Sequence, residues 1–212
     1  MGKFSEVEDI REVDSPKEIR ETSEDKSEID DEIDIQYNEY LQEDKAQEFE
    51  HKSAEEKETE RESDLRNCPI EGNGGHWEGE RGESKWSPER DEIPSKYNPD
   101  NKTWGEIMDK HDIDGVEFHS GEPYFSEVTK ERVEIDDFSD DRSDNFDQAD
   151  EALANRWGCD PDDVAKWRSQ NKYTWHECRD CETMQLVPSE VHNNITHRGG
   201  VSRVKEGVFE NE

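Results

Sequence analysis

Apolar residues recur at helical spacing between residues 145 and 168, and this pattern predicts two consecutive helices. The first is expected to begin near Asn145 and to end at Gly158, because glycine commonly follows the last turn of a helix. Asp160 is placed to cap the second helix, with Pro161 in its first turn, where a missing backbone N–H costs nothing. The predicted apolar face of the first helix carries Phe146, Ala149, Ala152, Leu153 and Trp157.

Three shorter patterns precede these helices. Residues 72–84 are rich in glycine and predict tight turns. Thr103 is a favourable cap for a short helix over Trp104–His111. The segment Gly115–Val133 alternates apolar and polar residues in part, and it predicts short strands and turns.

Toward the C-terminus the pattern changes to strand, turn, strand and short helix. The runs Tyr173–Glu177 and Thr183–Val187 are β-prone and flank a polar turn. Pro188, Ser189 and Glu190 suit the first turn of a helix, where a carboxylate meets the positive end of the helix dipole. Together these elements predict an α+β fold.

Composition divides the chain near residue 67. Residues 67–212 carry all six tryptophans and 12 of the 13 glycines, whereas residues 1–66 carry 25 acidic and 10 basic residues. Only a segment with large apolar side chains and turn residues can form a compact core. We therefore predict an acidic N-terminal region, 1–66, and a globular domain, 67–212.

The acidic region has some helical character of its own. Apolar residues from Ile29 to Leu41 recur near helical spacing, and residues 43–62 are mostly good helix formers with little to bury. The simplest interpretation is a solvated linker that is partly helical or disordered. Two alternatives remain open: a helix that docks on another chain, and a decoy for phosphate that screens a DNA-binding face.

The overall charge limits the classes of function. The chain has 60 acidic and 27 basic residues, for a formal net charge of −33. This balance argues against a general nucleic-acid coat or a protein that binds anionic membranes, but not against a nuclease whose site is positive through a metal ion. No apolar run approaches the ~20 residues of a membrane span, and the first 30 residues lack a cleavable secretory signal.

Three of the seven histidines fall within the C-terminal pattern. On one continuous helix His192 and His197, five residues apart, would point about 140° away from each other. They can converge with His176 only if the helix stops near Asn194 and His197 follows in the next turn. Imidazoles from a strand and a helix end could then share one divalent ion.

This segment resembles the HNH endonucleases, the ββα-metal superfamily. More narrowly, it is similar to the toxin nucleases with a Trp-His-His signature, which form C-terminal domains of bacterial polymorphic toxins. The matching residues are Trp175-His176-Glu177, Thr183-Met184-Gln185-Leu186-Val187-Pro188, Val191-His192 and His197-Arg198-Gly199-Gly200. The glycine-rich run and the two central helices also look like parts of that module, so the resemblance covers about residues 67–203.

The resemblance implies a ββα-metal hairpin-and-helix core, wrapped by helices and loops, that hydrolyses DNA phosphodiesters with one divalent ion such as Mg²⁺ or Zn²⁺. It places His192 and His197 at metal-ligand positions and His176 in a strand dyad that supplies one base and one ligand. Glu177 stands where the family has its second histidine. Either His176 is the base and Glu177 orients or ligates, or His176 ligates and Glu177 is the base. The first is preferred, since imidazole titrates nearer neutral pH.

Further expectations concern contacts outside this core. Arg179 and Arg198 are candidate phosphate contacts, and the resemblance implies a DNA substrate and a cognate immunity protein. It also implies secretion by a non-classical route or within a larger effector, with action in the cytoplasm of the target cell. Two other functions stay open: a non-catalytic acidic binding protein, such as a DNA mimic or inhibitor, and a structural zinc module that uses Cys178, Cys181 and two histidines.

Overall fold

The structure, a computed structural model, describes residues 54–207, which form an α+β fold of six α-helices and three small antiparallel sheets. The helices are α1 (Ala54–Leu65), α2 (Trp104–His111), α3 (Arg142–Trp157), α4 (Pro161–Gln170), α5 (Ser189–His192) and α6 (Gly200–Lys205). The strands are β1 (Gly75–Trp77), β2 (Trp86–Pro88), β3 (Glu117–His119), β4 (Glu122–Tyr124), β5 (Glu131–Glu134), β6 (Tyr173–Glu177) and β7 (Thr183–Pro188). The predicted fold class is confirmed, while the helical pattern at residues 29–41 lies outside the described residues.

Local sequence signals fix most of the helix ends. Thr103 and Glu106 form a reciprocal capping box at the start of α2, and the predicted bounds of this helix are confirmed. Helix α3 ends as predicted at Gly158, which has a φ of 68°. It begins at Arg142, earlier than predicted, because the Asp141 side chain accepts a hydrogen bond from the Ser143 N–H at 2.9 Å. Within residues 54–207, none of the helices is both long enough and apolar enough to cross a membrane.

The hairpin β6–β7 and helix α5 form the predicted strand, turn, strand and short helix. Strand β7 pairs with β6 on one edge and with β5 on the other, and it is buried along its whole length. Its side chains alternate between two hydrophobic clusters, with Met184 and Leu186 on one face and Val187 on the other. Each such fully buried side chain contributes about 1.5–3 kcal/mol to the free energy of unfolding. The hairpin therefore packs against a hydrophobic cluster on each of its two faces.

The two clusters support different parts of the fold. The tryptophan cluster, under β1 to β4, consists of Cys68, Trp77, Trp86, Trp104, Ile107, Met108, Val116, Phe118, Phe125, Val187, Val191 and Ile195. The helix cluster, between the three-stranded sheet and α3, α4 and α6, consists of Val133, Ile135, Phe138, Ala149, Leu153, Ala154, Val164, Trp175, Cys181, Met184, Leu186 and Val201. In β6, Trp175 joins the helix cluster, and the next residue, His176, contacts Phe125 of the tryptophan cluster. Strand alternation thus turns His176 toward the opposite side.

The end of α1 contacts the rest of the described chain. Asp64 accepts a hydrogen bond from the Arg179 guanidinium at 3.0 Å, and Leu65 packs against the tryptophan cluster. The Asp64 carbonyl also lies close to Gly121, so closely that a Cβ at that position would be 2.7 Å from the oxygen. The boundary between residues 66 and 67 stays a prediction, although these contacts cross it.

Candidate metal centre

The structure brings the three predicted histidines together. His176 lies in β6 and is 1% exposed, His192 is the last residue of α5, and His197 lies in the loop that follows. Their ring centroids are 5.2 Å apart for His176 and His192, 5.0 Å for His176 and His197, and 4.9 Å for His192 and His197. The early end of α5 allows this convergence, as the spacing predicted.

Contacts from distant parts of the chain hold α5 and its loop in place. Glu190, 3% exposed, accepts hydrogen bonds from Lys102 at 3.0 Å and Lys110 at 2.5 Å, and it lies 2.9 Å from His111 Nε2. Burial by itself would raise the pKa of Glu190, but these partners lower it to about 2. Asn194 donates a hydrogen bond to the Tyr97 carbonyl at 2.8 Å. The backbone between His192 and His197 is therefore anchored to α2 and the loop before it.

The environment keeps the three imidazoles neutral. The Phe125 ring packs against all three, at centroid distances of 5.0, 5.5 and 5.7 Å. Burial lowers the pKa of His176 and of His192 to about 3 and holds the pKa of His197 well below its ordinary value, with repulsion from neighbouring charged groups as a further cause. At neutral pH each ring carries one N–H and one free lone pair.

Hydrogen bonds decide which nitrogen of His192 and His197 keeps its lone pair. His192 Nδ1 lies 3.0 Å from Asn193 Oδ1, and His197 Nδ1 lies 2.9 Å from the Ile195 carbonyl oxygen. Because both oxygens accept, each Nδ1 carries the proton and each Nε2 is left as a lone-pair donor. His192 Nε2 in turn lies 3.2 Å from His176 Nδ1.

This donor set fits a divalent metal ion. One ring nitrogen from each of the three histidines lies within 4.8 Å of the other two. Three neutral imidazoles are a common protein ligand set for zinc and other transition metals, and sites of this kind keep a further position for water or substrate. His176 therefore lies with His192 and His197, the two predicted ligands, in one group of potential metal ligands.

Glu177 lies beside the histidines but has partners of its own. The carboxylate is 4% exposed, and it accepts hydrogen bonds from Arg142 Nε at 2.7 Å and from Asn145 Nδ2 at 2.9 Å. Arg142 itself is 64% exposed at the start of α3. Glu177 and Arg142 line the same cavity as the three histidines.

The two arginines predicted to contact phosphate lie elsewhere. Arg179 donates to Asp64 and to the Ser120 carbonyl at 2.9 Å, and its side chain is 12% exposed. Arg198 donates to Ser63 and forms an ion pair with Glu206, and its side chain is 9% exposed. Neither lines the cavity of the histidines, so their role in substrate binding stays a prediction.

The cavity has a volume of about 760 Å³ and differs in charge from the chain as a whole. The cationic side chains that line it are Arg66, Lys96 and Arg142, all exposed, and the carboxylates are Glu92 and Glu177. The described residues include two exposed large apolar side chains, Ile70 and Ile93, and both line this cavity. The cavity is thus less acidic than the chain, and it is large enough for part of a polymeric substrate.

The cysteines do not form the predicted zinc module within the described residues. Cys178 lies near Glu122 and His176, but Cys181 does not share a group of potential ligands with it. Burial raises the pKa of the Cys181 thiol to about 12, and its sulfur faces the Gly200 carbonyl at 3.6 Å. In the metal-free chain Cys181 is therefore a protonated thiol.

Several residues around the histidines were not found from the sequence. Phe125, Arg142 and Asn145 lie 31 to 51 positions before His176, and no local motif connects them with it. Asn145 was assigned only as the start of a helix. A buried carboxylate at Glu177 needs a donor somewhere in the fold, but that requirement does not say which residue supplies it.

Comparison with known proteins agrees with this geometry. Residues 115–199 match the family described as the DNase/tRNase domain of colicin-like bacteriocin. No curated protein matches the chain. The matched segment runs from just before β3 to the loop after α5 and contains all three clustered histidines. The match supports a nuclease toxin domain in this part of the chain.

Proposed function

We propose that this protein is a metal-dependent DNA endonuclease of the HNH type, with the nuclease domain in residues 67–212. The observation that carries the proposal is the convergence of three neutral imidazoles from a β-hairpin and the helix that follows it. The bacteriocin match adds the substrate class, nucleic acid, on independent grounds. The Trp-His-His relationship rests on the sequence resemblance.

In this proposal His176, His192 and His197 hold the ion. Of the two assignments for His176, we adopt the ligand role, because its Nδ1 faces His192 Nε2 at 3.2 Å. When bound, a divalent ion supplies a Lewis acid that stabilises charge on the phosphate and the leaving oxygen. Asn193 and the Ile195 carbonyl orient the other two rings through their Nδ1–H groups.

Glu177 then takes the role of proton acceptor for the attacking water. It is adjacent to His176 in the chain and lines the same cavity. Its hydrogen bonds to Arg142 and Asn145 fix the orientation of the carboxylate. The exposed guanidinium of Arg142 keeps further N–H groups that can contact a phosphate oxygen.

DNA is the substrate that this centre fits best. RNA carries a 2′-hydroxyl that can attack the adjacent phosphate, so an RNase can work without a metal, whereas DNA has no internal nucleophile. A histidine metal centre supplies what DNA hydrolysis lacks. The three cations at the cavity can neutralise phosphates locally in a chain of net charge −33.

A plasmid assay tests the proposal. We expect the purified protein to nick or cut supercoiled plasmid with Mg²⁺, Mn²⁺ or Zn²⁺, and EDTA to stop the reaction. His197→Ala should reduce cleavage by ~100-fold or more. The matched control is His76→Ala, which removes an exposed imidazole outside the cavity and should cut like the parent. A parent that cuts tRNA but not plasmid would contradict the DNA assignment.

The charge favours one alternative function. With 60 acidic residues the chain could act as a non-catalytic DNA mimic that occupies a DNA-binding protein. Such a protein needs neither neutral imidazoles at one point nor a metal. Tight binding to a basic DNA-binding protein, together with no cleavage in any metal, would support the mimic instead.

We further propose that the domain is the toxic part of a bacterial competition effector, delivered to the cytoplasm of a target cell and neutralised by an immunity protein. The support is the bacteriocin match together with the sequence resemblance. Expression in the bacterial cytoplasm should be toxic, and His197→Ala should relieve the toxicity. Equal toxicity of the parent and the variant would contradict a nuclease toxin.

A further inference from the structure

One nitrogen of His176 faces away from the other two histidines. Its Nε2 is buried and makes no hydrogen bond of ordinary length, and it faces Glu122 Oε1 at 3.5 Å. Both side chains are almost fully enclosed, with exposures of 1% and 3%. At this distance a buried carboxylate interacts electrostatically with a ring N–H even when the hydrogen bond between them is long.

The backbone holds the Glu122 carboxylate in place. Glu122 is the first residue of β4, and its Oε1 accepts a hydrogen bond from the Arg179 backbone N–H at 2.7 Å. Arg179 lies in the turn between β6 and β7, so the hairpin that carries His176 also fixes the carboxylate that faces it. The contact is therefore part of the hairpin geometry.

The N–H groups of the three imidazoles can then be assigned in the same way. A neutral imidazole has one N–H, and in His192 and His197 an oxygen acceptor holds it on the nitrogen turned away from the cluster. For His176 the oxygen in the corresponding position belongs to Glu122. With the proton on Nε2, the lone pairs of His176 Nδ1 and His192 Nε2 face each other at 3.2 Å, an arrangement that is favourable when both nitrogens share one cation.

We propose that Glu122 is a positioning residue of the metal centre, which accepts the Nε2–H of His176 and so fixes the ring with Nδ1 as the ligand atom. This inference rests on the proposed function, in which His176 is a ligand. A carboxylate in this position also makes the ligating nitrogen more basic, and it commonly strengthens metal binding by about 10- to 100-fold.

A second arrangement of the same residues makes the opposite prediction. Glu122, His176 and Cys178 are all buried and could themselves hold a metal ion. A metal bound there would need the lone pair of Nε2, and the proton would move to Nδ1. The protonated nitrogen of His176 therefore separates the two arrangements.

The first experiment uses the parent protein without any substitution. ¹⁵N-histidine labelling and NMR of the full chain loaded with Zn²⁺ report which nitrogen of each ring is protonated, with the His176 signals assigned by their loss in His176→Asn. The metal-loaded chain is used because, without an ion, the Nδ1–H of His176 can donate to His192 Nε2. We expect Nε2–H for His176 and Nδ1–H for His192 and His197. A dominant Nδ1–H form of His176 would overturn the proposal.

The second experiment measures metal affinity by titration with Zn²⁺ alone. We expect Glu122→Ala to weaken binding by about 10- to 100-fold and Glu122→Gln to weaken it less, because the amide oxygen can still accept the Nε2–H. Glu131→Gln is the matched control: it alters a fully buried glutamate that contacts Arg156 and Trp157 instead, and affinity should be unchanged.

The outcomes separate this inference from the function on which it rests. If the parent binds Zn²⁺ and both Glu122 variants bind it as tightly as the parent, Glu122 does not position the centre, while the proposed function stands. If the parent binds no metal, the proposed function fails. Should Glu122→Ala not fold, Glu122→Gln and the NMR of the parent still decide the question.

Discussion

The cavity with the three histidines and the small space lined by Arg179 and Arg198 are neighbours, and Gly199 lines both of them. The arginine side chains at these two places differ in their exposure and in their partners. In the cavity Arg142 is 64% exposed, whereas Arg179 and Arg198 are 12% and 9% exposed and are bound to groups of the same chain. The two arginines that flank the motif in sequence are thus less available to a substrate than Arg142.

In this chain of net charge −33, some arginines therefore stabilise the fold, whereas Arg142 stays exposed at the cavity. Arg179 and Arg198 contact Asp64 and Ser63, and so hold the end of α1 against the hairpin and the loop after α5. Losing either arginine removes these hydrogen bonds together with an ion pair to a partly exposed carboxylate, Asp64 or Glu206. We therefore expect substitution of Arg179 or Arg198 to change stability and substitution of Arg142 to change activity.

The largest effect is expected at Glu177. Glu177→Gln keeps the size and the hydrogen bond to Asn145 but removes the charge, so cleavage should fall about 100-fold if Glu177 accepts the proton. Zn²⁺ affinity should stay near that of the parent. The control is Glu92→Gln, the other carboxylate of the cavity. Full activity of Glu177→Gln would return the base role to His176.

The arginines should separate into two groups. Arg198→Ala should lower the free energy of unfolding by about 1–3 kcal/mol, measured by urea denaturation, and leave the KM for DNA unchanged. Arg142→Ala should raise that KM about 10-fold through a lost phosphate contact. A raised KM in a stable Arg198→Ala variant would instead support the substrate contact that the sequence predicts.

The smallest effect concerns pH and the anchor of α5. Because the pKa of Glu190 is lowered from 4.5 to about 2, its ionised form stabilises the folded state above pH 4.5, and this contribution is lost as the pH falls toward 2. Lys110 is 52% exposed, so solvent reduces the effect, and we expect about 1–2 kcal/mol.

The measurement compares the parent with Glu190→Gln by urea denaturation. The parent should be more stable at pH 6, and the difference should shrink at pH 3. A difference that stays the same at both values would show that the ion pairs of Glu190 do not contribute.

The sequence predicted those features that depend on neighbouring residues. Helix α2, the end of α3 and strand β6 follow from caps and short patterns, and the three histidines lie within 22 residues of each other on one hairpin and helix. The pairing of β5 with β7 was not predicted. Its sequence, Glu131-Arg132-Val133-Glu134, has the charge of a surface strand, but Glu131 and Arg132 are buried.

The residues that surround the three histidines could not be predicted either, because they come from distant parts of the sequence. Glu122, Phe125 and Arg142 reach the hairpin from other elements, and their contacts depend on how the sheet packs on α3 and on the tryptophan cluster. The contacts of the two arginines chosen from the sequence could not be predicted either. Arg179 and Arg198 flank the motif, but folding directs them to Asp64 and Ser63.

In the proposed function, His176, His192 and His197 together bind one metal ion. The most direct test is the stoichiometry of Zn²⁺ or Co²⁺ bound to the purified parent and to the three single alanine variants, measured by titration and native mass spectrometry. We expect one ion per chain in the parent, a Co²⁺ spectrum typical of nitrogen ligands, and strongly weakened binding in each variant. Unchanged binding in all three folded variants, or no binding in the parent, would contradict it.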